Sequence, residues 1–312
     1  MLQEKTGEPT LITGMAAVDQ PSPTRVVIPA VHYHHLQLPK TNLHYLACGG
    51  GPPLVMVPAT ISKIENWKAL AQFMGQRFRV YFFELPGHGS SSPFPQPFSS
   101  QLAAETVEDF IGCLGYQSVS LMGFSFGGIL TMTTLNRLRE RVSKVILLSP
   151  VLSRRALKYS EARLRLLKGM VKTFQRPRIR SGVLRTIRNP KVNGLLASTI
   201  ANMGRVEKSI SVREVFQKIS DSTADVLSYQ LAEMLDFEMQ APAAAFSQPC
   251  YFGMSIRDPL LNFDVTLDLM KKSFSQVHVE QFQFPYHQPP KPPTFEEMNL
   301  DYGSLLDYVC ST

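Results

Sequence analysis

The stretch Val119-Ser120-Leu121-Met122-Gly123-Phe124-Ser125-Phe126-Gly127-Gly128 decides how this chain is read. It opens as a short, mostly apolar strand and passes through Gly-x-Ser-x-Gly. It then enters a segment with Ile129, Leu130 and Leu135 at helical spacing. A strand that turns straight into a helix strains the residue at the corner, so its neighbours must be small. Gly123 and Gly127 give that room, and Gly128 lets the helix pack close to the sheet. The Ser125 hydroxyl then stands above a helix N-terminus, whose dipole favours developing negative charge. A glycine-rich turn with an incidental serine would carry the same five residues. The strand-turn-helix setting separates the two.

A serine hydroxyl at neutral pH needs a base, and the base needs an acid to orient it. Asp258 follows an expected strand in Gly253-Met254-Ser255-Ile256-Arg257-Asp258-Pro259, and His287 follows another in Phe284-Pro285-Tyr286-His287. All three residues then fall beyond carboxyl ends of strands, where open α/β sheets carry their sites. Each has a rival. Asp264 reads as the cap of a helix beginning near Val265. His278 reads as a structural side chain within a strand. His88, in Pro86-Gly87-His88-Gly89, sits in a loop where it would line a pocket. An oxyanion also needs two backbone N–H donors. Phe126 supplies one, and Thr60 is expected to supply the second with Ala59 as competitor, because Pro58 has no N–H.

Working outward, segments 33–38 and 43–48 flank a turn and read as a hairpin. Segment 54–57 is a continuous apolar run, as in a strand buried on both faces. A helix over 65–74, a strand over 79–85 and a helix over 100–114 with Gly115 as its C-cap follow. After the strand 119–122 come a helix over 127–139 and a strand over 144–148. This alternation argues for a parallel sheet with helices on both faces. Strands are absent from 151–240, which is helix-like, basic and expected to break at Pro177, Gly182 and Pro190. They resume at 249–253 and 277–284 with a helix between, before a last amphipathic stretch at 300–309. The expected architecture is one core, 31–150 plus 241–312, interrupted by a helical lid at 151–240. A Pro-rich, polar arm, 1–30, precedes it.

Of the 312 residues, 44% are hydrophobic and 18% charged, as in a globular protein. No apolar run reaches the roughly 18–20 residues that span a bilayer. The N-terminus lacks a basic-then-apolar leader pattern, so a cytoplasmic location is the expectation. Four cysteines without a CxxC pair read as buried free thiols. In His32-Tyr33-His34-His35 neighbouring side chains would alternate across a strand, which argues against a metal site. The net charge of +7 is concentrated: residues 151–220 hold 17 Lys or Arg and three acidic residues. Arg154, Arg155, Lys158, Arg163, Arg165, Lys168 and Lys172, with Leu157, Leu164, Leu166, Leu167, Met170 and Val171, read as one basic amphipathic helix. Such a helix is a solvated lid face, or it attracts an anionic substrate or a lipid surface. No aromatic-interleaved basic patch or reading motif points to nucleic acid.

Taken together, the 123–128 turn, the loop Glu84-Leu85-Pro86-Gly87-His88-Gly89-Ser90, Asp258-Pro259 and His287 make the chain resemble the α/β-hydrolase superfamily over roughly 31–312. The resemblance implies an eight-stranded, mostly parallel sheet, a helical lid, a Ser125–His287–Asp258 triad, and neither cofactor nor metal. It implies acyl transfer at Ser125, cleaving a carboxylic ester or thioester of a small-molecule acyl substrate. Transfer to another acceptor, carbon–carbon bond hydrolysis and ligand binding without catalysis are the alternatives. Serine at 125, rather than aspartate or cysteine, sets against dehalogenase, epoxide-hydrolase and dienelactone-hydrolase chemistry. The chain departs from the family pattern at Pro58-Ala59, where His-Gly is usual, and at Glu84, where aspartate is usual.

Overall fold

The computed structural model describes residues 27–189, 192, 219–240 and 242–311. The expected arm, 1–30, and the middle of the expected lid, with its break at Pro190, therefore lie largely outside the described residues.

Eight strands form one sheet: β1 (Val31–Gln37), β2 (Asn42–Cys48), β3 (Pro53–Val57), β4 (Arg79–Phe83), β5 (Val119–Phe124), β6 (Val142–Leu148), β7 (Cys250–Ser255) and β8 (Val277–Phe282). Their order is β1-β2-β4-β3-β5-β6-β7-β8. β2 runs antiparallel to β1 and β4, and every pairing from β4 to β8 is parallel. The inner strands are largely apolar because helices cover both faces, whereas β1, at the edge, is mostly exposed. One face packs on α1 (Ile64–Met74) and α8 (Phe295–Ser311) through Trp67, Phe73, Leu305 and Val309. The other packs on α2 (Ser100–Leu114), α3 (Gly127–Arg137) and α7 (Phe263–Ser273) through Phe110, Ile129, Leu130 and Met270. Ser99 caps α2 by accepting the Leu102 N–H, and Gly115 ends it in the left-handed region at φ 76°.

Between β6 and β7 the described chain forms α4 (Glu161–Phe174), α5 (Pro177–Arg188) and α6 (Asp221–Asp236). Several expectations shift here. The basic stretch is not one helix: Arg154–Ala156 is a 3-10 turn, Lys158 lies in a loop, and α4 starts only after Ser160, which accepts the Arg163 N–H. The helical run does break at Pro177: α4 ends at Phe174, and the proline opens α5, whose first position needs no N–H. Gly182 lies within α5 and does not interrupt it. The buried Leu184 anchors that turn and offsets the glycine cost of about 1 kcal/mol. The strands expected over 79–85 and 277–284 end two residues early, at Phe83 and Phe282, and α3 ends at Arg137. Cys48 and Cys250 are buried thiols, but Cys113, on the outer side of α2, is exposed.

The loop from β3 to α1 has no regular structure of its own and is held by the segment after β4. Glu84, almost fully buried, accepts the Ile64 N–H (3.2 Å), the Ser90 N–H (2.6 Å) and a bond from His44 Nδ1 (3.0 Å). Ser62 Oγ accepts the Leu85 N–H (2.8 Å), so its own proton is free to go to His88 Nδ1 at 2.7 Å. The Ser62 N–H points at the same nitrogen at 3.3 Å. Two donors on Nδ1 fix the neutral ring with its proton on Nε2. His88 is wholly buried and does not line a pocket, contrary to its sequence reading.

Burial, with a smaller push from Lys63, lowers the His88 pKa from its ordinary value to about 3. Between there and the unfolded value near ~6.5, the unfolded chain binds the extra proton, so stability rises with pH. The contribution of His88 is complete above that window and falls by about 1.4 kcal/mol per pH unit as the pH drops through it. Urea unfolding at pH 7, 6 and 5 will show a slope steeper by about one proton in the native chain than in His88→Asn. Equal slopes would contradict this.

Candidate active site

The site forms where β5 turns into α3. Ser125 holds φ 53°, a left-handed conformation that a residue with a side chain adopts only under constraint. The constraint comes from close packing. A Cβ on Gly123 would lie 2.3 Å from Thr131 Oγ1 and 2.5 Å from the Gly127 carbonyl. One on Gly128 would lie 2.5 Å from Pro150 Cβ, so Gly128 makes room for the chain leaving β6. That chain braces the corner. Val151 and Gly128 both donate their N–H to the Ser125 carbonyl at 2.9 Å, and the Ser125 N–H reaches the Leu148 carbonyl at 3.2 Å. Ser149, in the same brace, is itself left-handed at φ 42°. Sequence reading missed this brace; Pro150, directly after an expected strand, was the available signal.

Asp258 sits in the loop after β7 and is fully buried. Its Oδ1 accepts the N–H groups of Leu260 (2.7 Å) and Leu261 (2.9 Å), and its Oδ2 lies 2.7 Å from His287 Nδ1. Burial alone would raise its pKa. The bonds from His287, Leu261 and Leu260 outweigh burial and hold the carboxyl below the usual carboxylate range. The start of the helical insertion pins this loop. Lys158 Nζ donates to the Asp258 carbonyl (2.6 Å), the Lys158 N–H to the Leu260 carbonyl (2.9 Å), and the Asn262 N–H to the Ala156 carbonyl (2.7 Å). Lys158 therefore serves the site's frame and is not part of a basic helix.

His287 lies in the loop after β8, its ring packed against Phe124 with centroids 5.4 Å apart. Its Nε2 is 2.8 Å from Ser125 Oγ. An ionised carboxylate only accepts, so Nδ1 carries the imidazole proton and Nε2 is left to accept from the serine hydroxyl. The three side chains thus form one unbroken hydrogen-bonded line from an aliphatic hydroxyl to a buried carboxylate.

The expected donors lie in the segments that leave β5 and β3. Phe126 caps the N-terminus of α3, where backbone N–H groups have no partner within the helix. Val57, the last residue of β3, pairs with Gly123, and the Val57 and Pro58 carbonyls press on Gly127. The Pro58-Ala59-Thr60 loop therefore leaves the sheet beside the serine, with Ala59 buried and Thr60 half-buried. The rivals stand apart. Asp264 lies in the first turn of α7, whose cap is Asn262, the acceptor for the Val265 N–H. That helix starts earlier than expected because the buried Phe263 belongs to it. His278 stacks on Tyr308, centroids 3.6 Å apart.

A cavity of about 270 Å³ opens between the 93–98 loop and α6, walled by Phe94, Phe98, Arg180 and Val226. Phe98 packs in turn on Phe126, centroids 6.1 Å apart. A larger one of about 600 Å³, lined by Ser181, Arg185, Arg188, Asn189 and Asp221, shares no residue with the hydrogen-bonded line. Much of the insertion's charge is paired. Arg154 and Arg155 meet Glu238, Lys168 meets Asp236, Arg180 meets Asp225 and Arg188 meets Asp221. Among the described residues no group of three His, Cys, Asp or Glu converges to hold a metal ion. None of their helices is long and apolar enough to cross a membrane.

A family model described as the alpha/beta hydrolase fold matches residues 52–192. An N-formylmaleamate deformylase of Pseudomonas putida is 29% identical over 112 residues, 35% of this chain and 42% of that protein. A pimeloyl-(acyl-carrier protein) methyl ester esterase of Nitrosomonas europaea is 28% identical over 117 residues, 37% of this chain and 44% of that protein. The chain thus spans less than half the length of these curated relatives. Among solved structures, a putative epoxide hydrolase from Pseudomonas aeruginosa superposes with a TM-score of 0.69 at 16% identity, over 92% of this chain and 98% of that one. With the eight-stranded topology, these likenesses show that the chain has the alpha/beta hydrolase fold.

Proposed function

We propose that the chain is a serine hydrolase, cleaving a carboxylic ester or thioester of a small-molecule acyl substrate through an acyl-enzyme on Ser125. The observation that carries this reading is the hydrogen-bonded line Ser125–His287–Asp258 at 2.8 and 2.7 Å, built on a left-handed serine. His287 Nε2 takes the hydroxyl proton as Ser125 Oγ attacks the carbonyl carbon. Asp258 holds the ring and stabilises the imidazolium that forms. The negative charge on the carbonyl oxygen falls to the N–H groups of Phe126 and Thr60. His287 then gives its proton to the leaving alcohol or thiol, and water repeats the sequence to free the acid. The curated relative named as a methyl ester esterase supports ester cleavage. A serine at the corner sets against epoxide opening, which needs a carboxylate nucleophile.

We assign residues 151–240 as a lid over this site, inserted into a core of 31–150 and 241–312. Arg163, Arg165, Lys172, Arg176 and Arg178 have no acidic partner among the described residues, and Leu166 and Met170 stand exposed beside them on α4. This surface supports an anionic or lipid-like substrate and peripheral contact with a membrane. The free thiols support a cytoplasmic setting.

On short and long p-nitrophenyl esters, Ser125→Ala will lose at least about 10³-fold in kcat. Equal rates for variant and native chain would sink the assignment. For an anionic ester, kcat/KM will fall several-fold between low and high salt, while a neutral ester of the same length holds its rate. A salt-indifferent rate on the anionic ester would remove the steering role of the lid.

A further inference from the structure

The reading above uses the Thr60 N–H of the 58–60 loop and leaves unexplained a second serine–histidine contact, wholly buried nearby. Ser62 and His88 are both 0% exposed, and neither belongs to the Ser125 line. The Ser62 hydroxyl and N–H are both committed: Oγ takes the Leu85 N–H and gives its proton to His88 Nδ1, and the N–H points at the same nitrogen. His88 Nε2, by contrast, is buried without a hydrogen-bond partner among the described residues. An orphaned buried N–H is costly, so a ring kept only to fill space would be better replaced by an apolar one. What the histidine offers is its other face, the acceptor toward Ser62.

The location gives that acceptor a purpose. Ser62 lies two residues after Thr60, in a loop without secondary structure. The loop is tied at only a few points: the Trp67 indole N–H to the Ile61 carbonyl (3.1 Å), the Ile64 N–H to Glu84, and Ser62 to Leu85 and His88. Most of these ties come from 84–88, the segment after β4. We infer that Ser62 and His88 are positioning residues, a strut that fixes the 58–62 loop so that its backbone N–H is aimed at the oxyanion. This rests on the acyl-transfer reading of Ser125. It also accounts for the departure at Pro58-Ala59: a loop without the usual residues is held from behind by side chains of the neighbouring loop. Because neither side chain touches the substrate, loosening the strut weakens oxyanion stabilisation and leaves ground-state binding alone.

The test compares the full-length native chain with Ser62→Ala, His88→Leu and His88→Asn on p-nitrophenyl butyrate, well below each unfolding midpoint. An alkyl trifluoromethyl ketone, which adds to the serine and leaves an oxyanion, serves as inhibitor. Ser62→Ala and His88→Leu will lower kcat by about 10- to 100-fold, part of the effect of deleting an oxyanion donor, with KM changed less than about threefold. Inhibitor affinity will fall in step with kcat. His88→Asn, whose Oδ1 can accept from Ser62, will recover to within about threefold of native. Full kcat and inhibitor affinity in Ser62→Ala, with only the unfolding midpoint lowered, would overturn the strut. So would an effect confined to KM. A native chain that neither turns over the ester nor binds the ketone would instead overturn the acyl-transfer reading, and the strut with it.

Discussion

Ser125 is held at a positive φ, and a residue with a side chain does not stay there unaided. The strain is on the order of 1–3 kcal/mol, and the surroundings oppose its release from three sides. Gly123 packs on Thr131 and on the Gly127 carbonyl, the β3 exit presses on Gly127, and Pro150 and Val151 brace the corner from the end of β6. The partners must then be brought to the hydroxyl. Asp258 comes from the end of β7, two strands from β5, and His287 from the end of β8, three strands away. The β8 exit therefore has to fold back across the sheet. It does so through the Ser255 hydroxyl bonded to the Phe284 carbonyl (2.6 Å), the stacked rings of Phe284 and Tyr286, and the contact of His287 with Phe124.

Charge over the insertion follows a different logic from charge at the site. The window 151–220 is strongly basic by itself, but 221–240 adds five acidic residues and no basic one. α6 lies against α4 and α5 and supplies Asp221, Asp225 and Asp236 as partners, with Glu238 just beyond it. The field is therefore weaker than the sequence asymmetry suggests. Among the described residues, the cations without an acidic partner gather on α4, α5 and the turn between them, with Leu166 and Met170 at 64% and 59% exposure.

How much of this was legible in the sequence depended on the range of the interaction that decides each feature. Strands buried on both faces show as unbroken apolar runs, and a Gly-x-Ser-x-Gly turn between a strand and a helix fixes the local chain direction; both are local signals, and both read through. The order Ser125, Asp258, His287 was legible for the same reason, since each follows a strand. Failures arose where one local preference was weighed without its long-range partner. Gly182 stays helical because Leu184 is buried beneath it, and Lys158 turns from a helix face to the Asp258 loop. His88 looked like a pocket residue because its loop position is typical of one. Only the approach of Ser62, 26 residues away in sequence, reveals a buried strut. Ser149-Pro150 carried a weak signal, and Ser62 carried none.

The central claim is that Ser125, and no other hydroxyl, is made nucleophilic by this frame. It is tested most directly by treating the native chain with a fluorophosphonate, digesting it and mapping the adduct by mass spectrometry. The account predicts a single phosphonyl group on Ser125, lost when the protein is unfolded before treatment or when His287 is replaced by alanine. An unmodified Ser125, or labelling that survives unfolding, would contradict it.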